Sequence, residues 1–241
     1  FIKLAGTNFT GSLLLGHATT GTLDAAQYNT GVGLTALDAL TTGDNNTALG
    51  YGAGTALTSG GQSVLIGGNA GDAITTSNYN IGVGYNALSA ISTSANGNVA
   101  IGHSAMKDST GAGYNVAIGG NALEDVTGAY NIAIGTQAGD NITSGTGNIV
   151  IGYNVDVGSA TGDRQLLIVG KNDSTSTTWI SGDNSGNLTF PADVTLGDDL
   201  HLDSDAAVLK FGDDGEVTLT HVHDDGLLLN TDMQLQFRDS A

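Results

Sequence analysis

A glycine that recurs at a near-constant interval constrains the fold of this 241-residue chain more than any other feature. The nine members of this series are Gly16, Gly33, Gly50, Gly67, Gly84, Gly102, Gly119, Gly135 and Gly152. Counted along the chain, their successive spacings are 17, 17, 17, 17, 18, 17, 16 and 17. A short period repeated this often indicates stacked structural repeats, each burying its apolar side against its neighbours.

Other columns keep register with the glycine, from which positions are counted below. Position −1 is aliphatic in every unit: Leu15, Val32, Leu49, Ile66, Val83, Ile101, Ile118, Ile134 and Ile151. Position −4 is Asn or Ser in all nine units, and position +3 is Ala in seven. A second aliphatic residue stands at position +7 in seven units: Leu23, Leu40, Leu57, Ile74, Ile91, Val126 and Ile142. Typical units read NVAIGHSA at 98–105 and NIAIGTQA at 131–138.

Each column predicts a local structure. The residues before the glycine form a short strand of β-branched and small residues, with positions −1 and −3 on one face and position −2 on the other. A strand that is apolar on both faces is buried on both, so position −1 is predicted as the repeat core. The glycine is predicted to be a corner that needs either positive φ or close approach of another backbone segment. A second short strand follows it, and the Asn residues of successive coils stack as an amide ladder.

Composition excludes several classes of protein. The chain has 38 Gly, and this share is incompatible with a mainly helical fold because Gly weakens helices by up to about 1 kcal/mol per position. With 24 acidic and six basic residues, its net charge of −18 repels nucleic acid and anionic membranes. There is no Cys for disulfides or thiolate metal sites, and no apolar run approaches the roughly 18 residues of a membrane span. We expect neither nucleic-acid binding nor membrane insertion.

These patterns predict an all-β fold in three parts. Residues 1–158 form a β-roll or β-solenoid of nine coils, one for each repeat glycine, 159–189 form transition strands, and 190–241 form an acidic segment. A coil this short has little interior, and a second apolar face left in water would be a large exposed patch. Self-association into a closed cyclic homo-oligomer covers that face without leaving free edges.

The N-x-A-I-G-x-x-A units over residues 10–157 resemble the YadA-like head repeat of trimeric autotransporter adhesins. They also resemble the same repeat in bacteriophage tail fibres, especially those of marine phages. This resemblance implies a left-handed parallel β-roll and a trimer of three packed rolls. The repeat unit of this chain is longer than the family's usual unit, so the path of the return loop departs from the family pattern.

The pattern changes near residue 158, and residues 160–241 hold 15 of the 24 acids. Predicted strands there include 165–169, 178–180, 194–196, 200–202, 209–211, 217–219, 227–229 and 234–237. Strands this short do not enclose a core in one chain, so we expect three chains to intertwine as a β-prism or triple β-helix. The stretch 199–229 resembles C-terminal repeats of marine phage tail proteins, which favours a virion over a bacterial surface.

A pair of histidines in this segment is the weak candidate for a metal site. His221 and His223 lie on one face of a predicted strand. Six imidazoles meeting on a three-fold axis could bind an octahedral transition metal, and the resemblance to phage fibre tips implies such a use of H-x-H. The alternative is an exposed pair beside Asp224 and Asp225. No cofactor is required by either interpretation.

Three further sets of residues could bind a ligand or catalyse a reaction, and each also has a simpler structural interpretation. Position +1 carries His17, Tyr51, Tyr85, His103 and Tyr153, which form either a half-exposed edge or a strip on which carbohydrate stacks. The segment 203–205 begins like a calcium loop but continues with apolar residues, so solvated turns are favoured. Glycoside hydrolysis needs a protected pair of carboxylates in a cleft. The acids of the repeat lie off the strand columns: Asp72, Asp108, Glu124, Asp125 and Asp140.

The sequence therefore favours a non-enzymatic structural fibre of a virion, a phage tail or head fibre that takes part in host attachment. Its expected partners are two further copies of itself, other virion proteins and a host surface receptor, including a glycan. A bacterial trimeric surface adhesin is the first alternative, located at the bacterial cell surface. A tailspike that degrades surface polysaccharide is the second.

Overall fold

The computed structural model describes residues 2–6, 9–16, 25–91, 94–111, 113–172, 174–196, 200, 208–211, 217–222 and 226–229. These residues form strands and turns and contain no helix, so the all-β prediction is confirmed. The chain divides into two compact units, Phe1–Asp193 and Val194–Ala241.

One sheet of thirteen strands, ordered as in the chain, runs through the first unit. Its strands are β1 (Ile2–Gly6), β2 (Phe9–Leu15), β3 (Thr30–Val32), β4 (Thr47–Leu49), β5 (Val64–Ile66), β6 (Ile81–Val83), β7 (Val99–Ile101), β8 (Val116–Ile118), β9 (Ile132–Ile134), β10 (Ile149–Ile151), β11 (Leu166–Lys171), β12 (Ser176–Gly182) and β13 (Leu188–Thr189). Strands β2 to β11 pair in parallel, and β1, β12 and β13 add antiparallel pairings at the two ends.

The parallel pairing keeps the repeat in register from coil to coil. Val99 pairs with Val116, and Ile101 with Ile118, so each residue stands beside its equivalent in the next coil. Each coil therefore contributes one short strand at positions −3 to −1 and returns to stack on its predecessor. This is a β-solenoid of about nine coils, as the period predicts.

Positions −2 and +7 of the repeat form the interior of the coils. Position −2 points inward, and its residues are small in most coils, as at Ala100, Ala117 and Ala133, each with no exposed surface. Across the interior lie the predicted position +7 aliphatics, fully buried in the described coils: Leu40, Leu57, Ile74, Ile91, Val126 and Ile142. Position −2 is large and still buried in three coils, at Leu14, Leu65 and Val150, and position +4 adds the buried side chains of Leu37, Leu88, Met106 and Leu123.

The residues at position −1, predicted as the repeat core, lie on the outer face of the single chain. These side chains point outward: Leu15, Leu49, Ile101, Ile118 and Ile134 are between 37% and 47% exposed, and Val32, Ile66, Val83 and Ile151 are half-buried. Strand side chains alternate between faces, so the residues beside an inward-pointing position −2 must point out. The sequence did not distinguish the two faces of the strand, because both are apolar.

The nine glycines are corners, as predicted. All have positive φ: Gly16, Gly33, Gly50, Gly67, Gly84, Gly102, Gly119, Gly135 and Gly152. A β-carbon on Gly119 (φ 136°) would lie 2.4 Å from the carbonyl carbon and oxygen of Gly135 in the next coil. The repeat glycine therefore meets two demands, an unusual backbone angle and close contact between successive corners.

The second strand predicted after the corner is wrong. Residues 68–73 form turns, and the backbone alternates in handedness, with positive φ at Asn69 (54°) and Gly71 (58°). Hydrogen bonds still join the coils, since Asn69 N–H donates to the Tyr51 carbonyl and Gly71 N–H to that of Ala87, both at 2.8 Å. Left-handed residues at every second position prevent an extended strand while keeping the backbone groups paired.

The predicted amide ladder is present at position −4 and is buried: Asn29, Asn46, Asn80, Asn98, Asn115, Asn131 and Asn148. Asn131 Nδ2 donates to Asn115 Oδ1 (3.2 Å) and to the Gly145 carbonyl (2.9 Å). Asn131 Oδ1 accepts the backbone N–H of Asn148 at 2.9 Å. Each carboxamide thus joins its own coil to both neighbours.

Strand β11 stacks directly on β10, so part of the predicted transition segment 159–189 continues the same sheet. In the second unit, β14 (Val208–Phe211), β15 (Val217–Val222) and β16 (Gly226–Leu229) form an antiparallel sheet, which confirms three predicted strands. Residues 194–196 form no strand, contrary to the prediction. Residues 201–202 and 234–237 lie outside the described residues.

Candidate functional site

The outer face of the parallel strands is the candidate functional surface. It carries positions −3 and −1, which are aliphatic in most coils, and among these Ile81, Ile132 and Ile149 at position −3 are each 37% exposed. Across β3 to β10, strands about 4.8 Å apart and three residues of about 3.3 Å give an area of roughly 400 Å². An exposed apolar patch of this size is often functional.

An aromatic column borders this face at position +1, where the sequence predicted either an edge or a carbohydrate strip. Tyr51, Tyr85, His103 and Tyr153 are all exposed there, and His17 lies outside the described residues. Tyr85 stacks on His103 with ring centroids 5.7 Å apart and planes 18° from parallel. The column is interrupted where position +1 is Gly68, Gly120 or Thr136, and its rings are in contact between the coils of Tyr85 and His103.

A second aromatic column, at position −5, was missed by the sequence analysis. Tyr28, Tyr79, Tyr114 and Tyr130 lie there, each between 57% and 63% exposed. Tyr114 and Tyr130 stack at 5.5 Å between centroids and 7° between planes. The signal that could have revealed this column is a Tyr directly before each of four ladder residues, Asn29, Asn80, Asn115 and Asn131.

These tyrosines occupy left-handed backbone positions, with φ between 57° and 63°. Gly fills the same position in other coils, as at Gly11 and Gly97, because it adopts this conformation without strain. The rings of Tyr28 and Tyr114 cover these two glycines closely, since a β-carbon on either glycine would lie 2.7 or 2.8 Å from the ring above it. Ring packing along the roll explains why Tyr is tolerated there.

Charged side chains occupy position +5, in the turns that follow the corner, in several of the coils. Lys107 Nζ pairs with Asp108 Oδ2 (2.6 Å) and with Glu124 Oε1 (3.4 Å) at the surface, where such pairs add little stability. Burial, a hydrogen bond to Asp156 and repulsion from Asp156 and Glu124 raise the pKa of Asp140 to about 6. Asp140 therefore lies beside two further carboxylates, those of Asp156 and Glu124.

Of the two histidines, only His221 lies among the described residues. His221 lies in β15, where its backbone pairs with Leu227, and His223 lies outside the described residues. The segment 203–205, considered for calcium, also lies outside them. Within the described ranges no group of three or more His, Cys, Asp or Glu side chains is placed to hold a metal ion. The same ranges contain no helix long and apolar enough to cross a membrane.

Fold and surface together define a parallel β-solenoid with an uncovered apolar sheet face between two aromatic columns. Comparison with protein-family models, with curated proteins and with solved structures finds no match to this chain.

Proposed function

We propose that this chain is a homotrimeric structural fibre of a virion, a phage tail or head fibre that takes part in host attachment. The observation that carries the proposal is the outer sheet face, whose aliphatic side chains at positions −1 and −3 remain partly in water in the single chain. Each unit places an aliphatic residue at position −1, so the face is maintained along the entire roll.

Lateral self-association covers this face. Copies packed side by side bury the aliphatic columns against each other, and a closed three-fold arrangement satisfies every copy equally. The antiparallel additions at β1 and at β12–β13 occupy the two ends of the sheet. Because these pairings block continued stacking of coils, they favour lateral association over end-to-end growth.

The fibre role is supported by the resemblance of the repeat to trimeric adhesin heads and phage tail fibres. A stack of parallel coils projects its surface along one axis, and the two aromatic columns offer exposed rings for contacts with a receptor. The net charge of −18 keeps such a fibre soluble and away from nucleic acid. The acidic C-terminal part forms a β-prism or triple β-helix in the same trimer.

The mass of the full chain in solution tests the assembly. Light scattering after size exclusion should give three times the chain mass of 24.1 kDa. Negative-stain images should show elongated particles of uniform width. A particle of 24.1 kDa at micromolar concentration would overturn the trimer.

Attachment is tested by adding fluorescently labelled protein to a panel of marine bacterial isolates. The proposal expects saturable binding to the surface of some isolates, displaced by unlabelled protein and without loss of surface polysaccharide. Release of reducing ends from isolated capsule or lipopolysaccharide would favour the tailspike alternative. Absence of binding to every isolate would contradict the attachment role.

A further inference from the structure

One cleft on the roll combines an aromatic ring with a set of hydrogen-bond acceptors. It has a volume of about 340 Å³ and is lined by Thr35, Tyr51, Gly52, Thr55, Asn69 and Asp72. These residues come from positions +1, +2 and +5 of three successive coils, so the stacking of the solenoid builds the cleft. The volume falls within the range of small-ligand sites.

Gly52 opens the floor of this cleft. Position +2 carries a larger polar side chain in the other described coils: Thr35, Asn69, Asn86, Ser104, Asn121, Gln137 and Asn154. A β-carbon on Gly52 would lie 2.6 Å from Asn69 Oδ1, so a side chain there would displace the amide and fill the opening. Among the described coils, the gap in the polar column is therefore found at this one.

Tyr51 supplies the apolar wall. It is 62% exposed, so its ring is accessible to a ligand in the cleft. An exposed aromatic ring receives the face of a flat molecule that carries C–H groups on one side and polar groups at its edge. Tyr85, the equivalent residue two coils further on, stacks instead on His103 and has Lys107 rather than a carboxylate at position +5 of the next coil.

The polar lining consists of acceptors. Thr35 Oγ1 donates to the Leu34 carbonyl and Thr55 Oγ1 to the Gly52 carbonyl, both at 2.8 Å, so the two hydroxyls retain lone pairs rather than protons for a ligand. Asn69 Oδ1 lies next to the α-carbon of Gly52, where a β-carbon would contact it. Asp72 adds a carboxylate to the lining. A ligand here must bring several hydroxyl donors.

We propose that this cleft binds a neutral pyranose, with one sugar face on Tyr51 and its hydroxyls donating to Asp72 and Asn69. A neutral sugar fits because the carboxylate and the net charge of −18 repel anionic sugars. This inference rests on the proposed attachment function, for which it names the chemical class of receptor. It concerns position +1 at one coil and not the whole aromatic column.

Saturation-transfer difference NMR on the full chain tests the cleft, with the methyl pyranosides of galactose, glucose, mannose, rhamnose and N-acetylglucosamine as probes. At least one should receive saturation, strongest on the C–H protons of one ring face. Tyr51→Ala and Asp72→Asn should each weaken binding about tenfold, since each removes a principal contact.

Gly52→Asn is the sharpest variant because it fills the cleft while keeping the residue type of neighbouring coils at a left-handed position (φ 68°), which Asn tolerates. It should retain the circular dichroism and mass of the parent and lose sugar binding. Trp179→Ala is the matched control, because it removes a ring that is 59% exposed and lies outside both columns, and it should bind as the parent does. Ammonium and calcium ions, added separately, should not displace the sugar.

Two results would overturn the inference: no pyranoside binds, or binding survives both Tyr51→Ala and Gly52→Asn. Displacement by ammonium or calcium would also overturn it, since the cleft would then be a cation site. Mass and cell attachment are measured on the same preparations. If the protein is a trimer that attaches to cells but binds no pyranoside, only the sugar-binding inference is refuted. If it is a monomer that does not attach to cells, the proposed function is refuted.

Discussion

Asn131 donates its backbone N–H to the side-chain Oδ1 of Asn115, one coil earlier, at 2.7 Å. The same Oδ1 accepts the Nδ2 of Asn131 at 3.2 Å, so one buried oxygen binds two donors of the following coil. The arrangement recurs between Asn131 and Asn148, where the corresponding distances are 2.9 and 3.0 Å. The ladder holds successive coils in register through groups that have no access to water.

Asn131→Ala should lower the free energy of unfolding by about 2–4 kcal/mol, because it leaves the Gly145 carbonyl and the Asn148 N–H buried without this partner. Asn131→Ser should cost less. Ser63 in the same column still accepts the N–H of Asn80 through its hydroxyl at 3.2 Å, which shows that a shorter side chain keeps one contact. Urea midpoints of the three proteins check this order, and equal midpoints for Ala and Ser would contradict it.

Gly119→Ala should destabilise the roll by about 3 kcal/mol or more, because the new methyl group meets the Gly135 carbonyl and φ is 136°. Gly120→Ala is the matched control. Its β-carbon would lie 3.6 Å from the nearest atom, the His103 carbonyl oxygen, which is ordinary contact. Thermal melts should show a large shift for Gly119→Ala and a change within about 0.5 kcal/mol for Gly120→Ala. Similar shifts for both variants would contradict the requirement for Gly at the corner.

Ile118→Asp should leave the coil folded and abolish assembly, because Ile118 is 38% exposed on the outer face and the new charge stays in water until a second copy covers it. Ala117→Asp should instead prevent folding, since Ala117 is fully buried in the coil interior. Circular dichroism and light scattering separate the two effects. A trimeric Ile118→Asp protein would show that the outer face is not the interface.

Asp140→Asn should raise stability at pH 7 and leave it unchanged near pH 3. In the folded chain the pKa of Asp140 is raised from 3.8 to about 6, so the folded state holds more protons than the unfolded state between these values. The free energy of unfolding therefore falls as pH rises from about 4 to about 6 and stays at the lower level above that. The proton bound in this pH range is shared between Asp140 and Asp156, which lie beside Glu124.

Asp163→Asn is the control of opposite sign. Hydrogen bonds from the Thr146 hydroxyl and backbone N–H lower the pKa of Asp163, so its contribution is present at neutral pH and lost on acidification. Melting temperatures between pH 3 and pH 8 should show a gain for Asp140→Asn at neutral pH and none for Asp163→Asn. A flat profile for the parent protein that Asp140→Asn leaves unchanged would contradict the assignment.

Local chemistry made some residues predictable and others not. Gly119 was predictable as a corner because only Gly adopts its backbone angle with close contact on both sides, and Asn131 as a ladder residue because stacked amides satisfy each other. The second strand was wrongly predicted because the alternating handedness at Asn69 and Gly71 has no common residue type across coils. The cleft at Tyr51 could not be predicted, since it depends on residues from three coils.

The sequence by itself determined the period, the number of coils, the glycine corners and the asparagine ladder, because each depends on a residue type repeated in register. Only the tertiary structure decided which side of the strand faces inward. Residues at positions −1 and −2 are both apolar and lie on opposite faces of the strand, so their composition does not decide between the two faces. The path of the coil turns position −2 inward where it is small, as at Ala117, and also where it is large, as at Leu65. Ile118 is thereby left outside, where it forms the face proposed to join three chains.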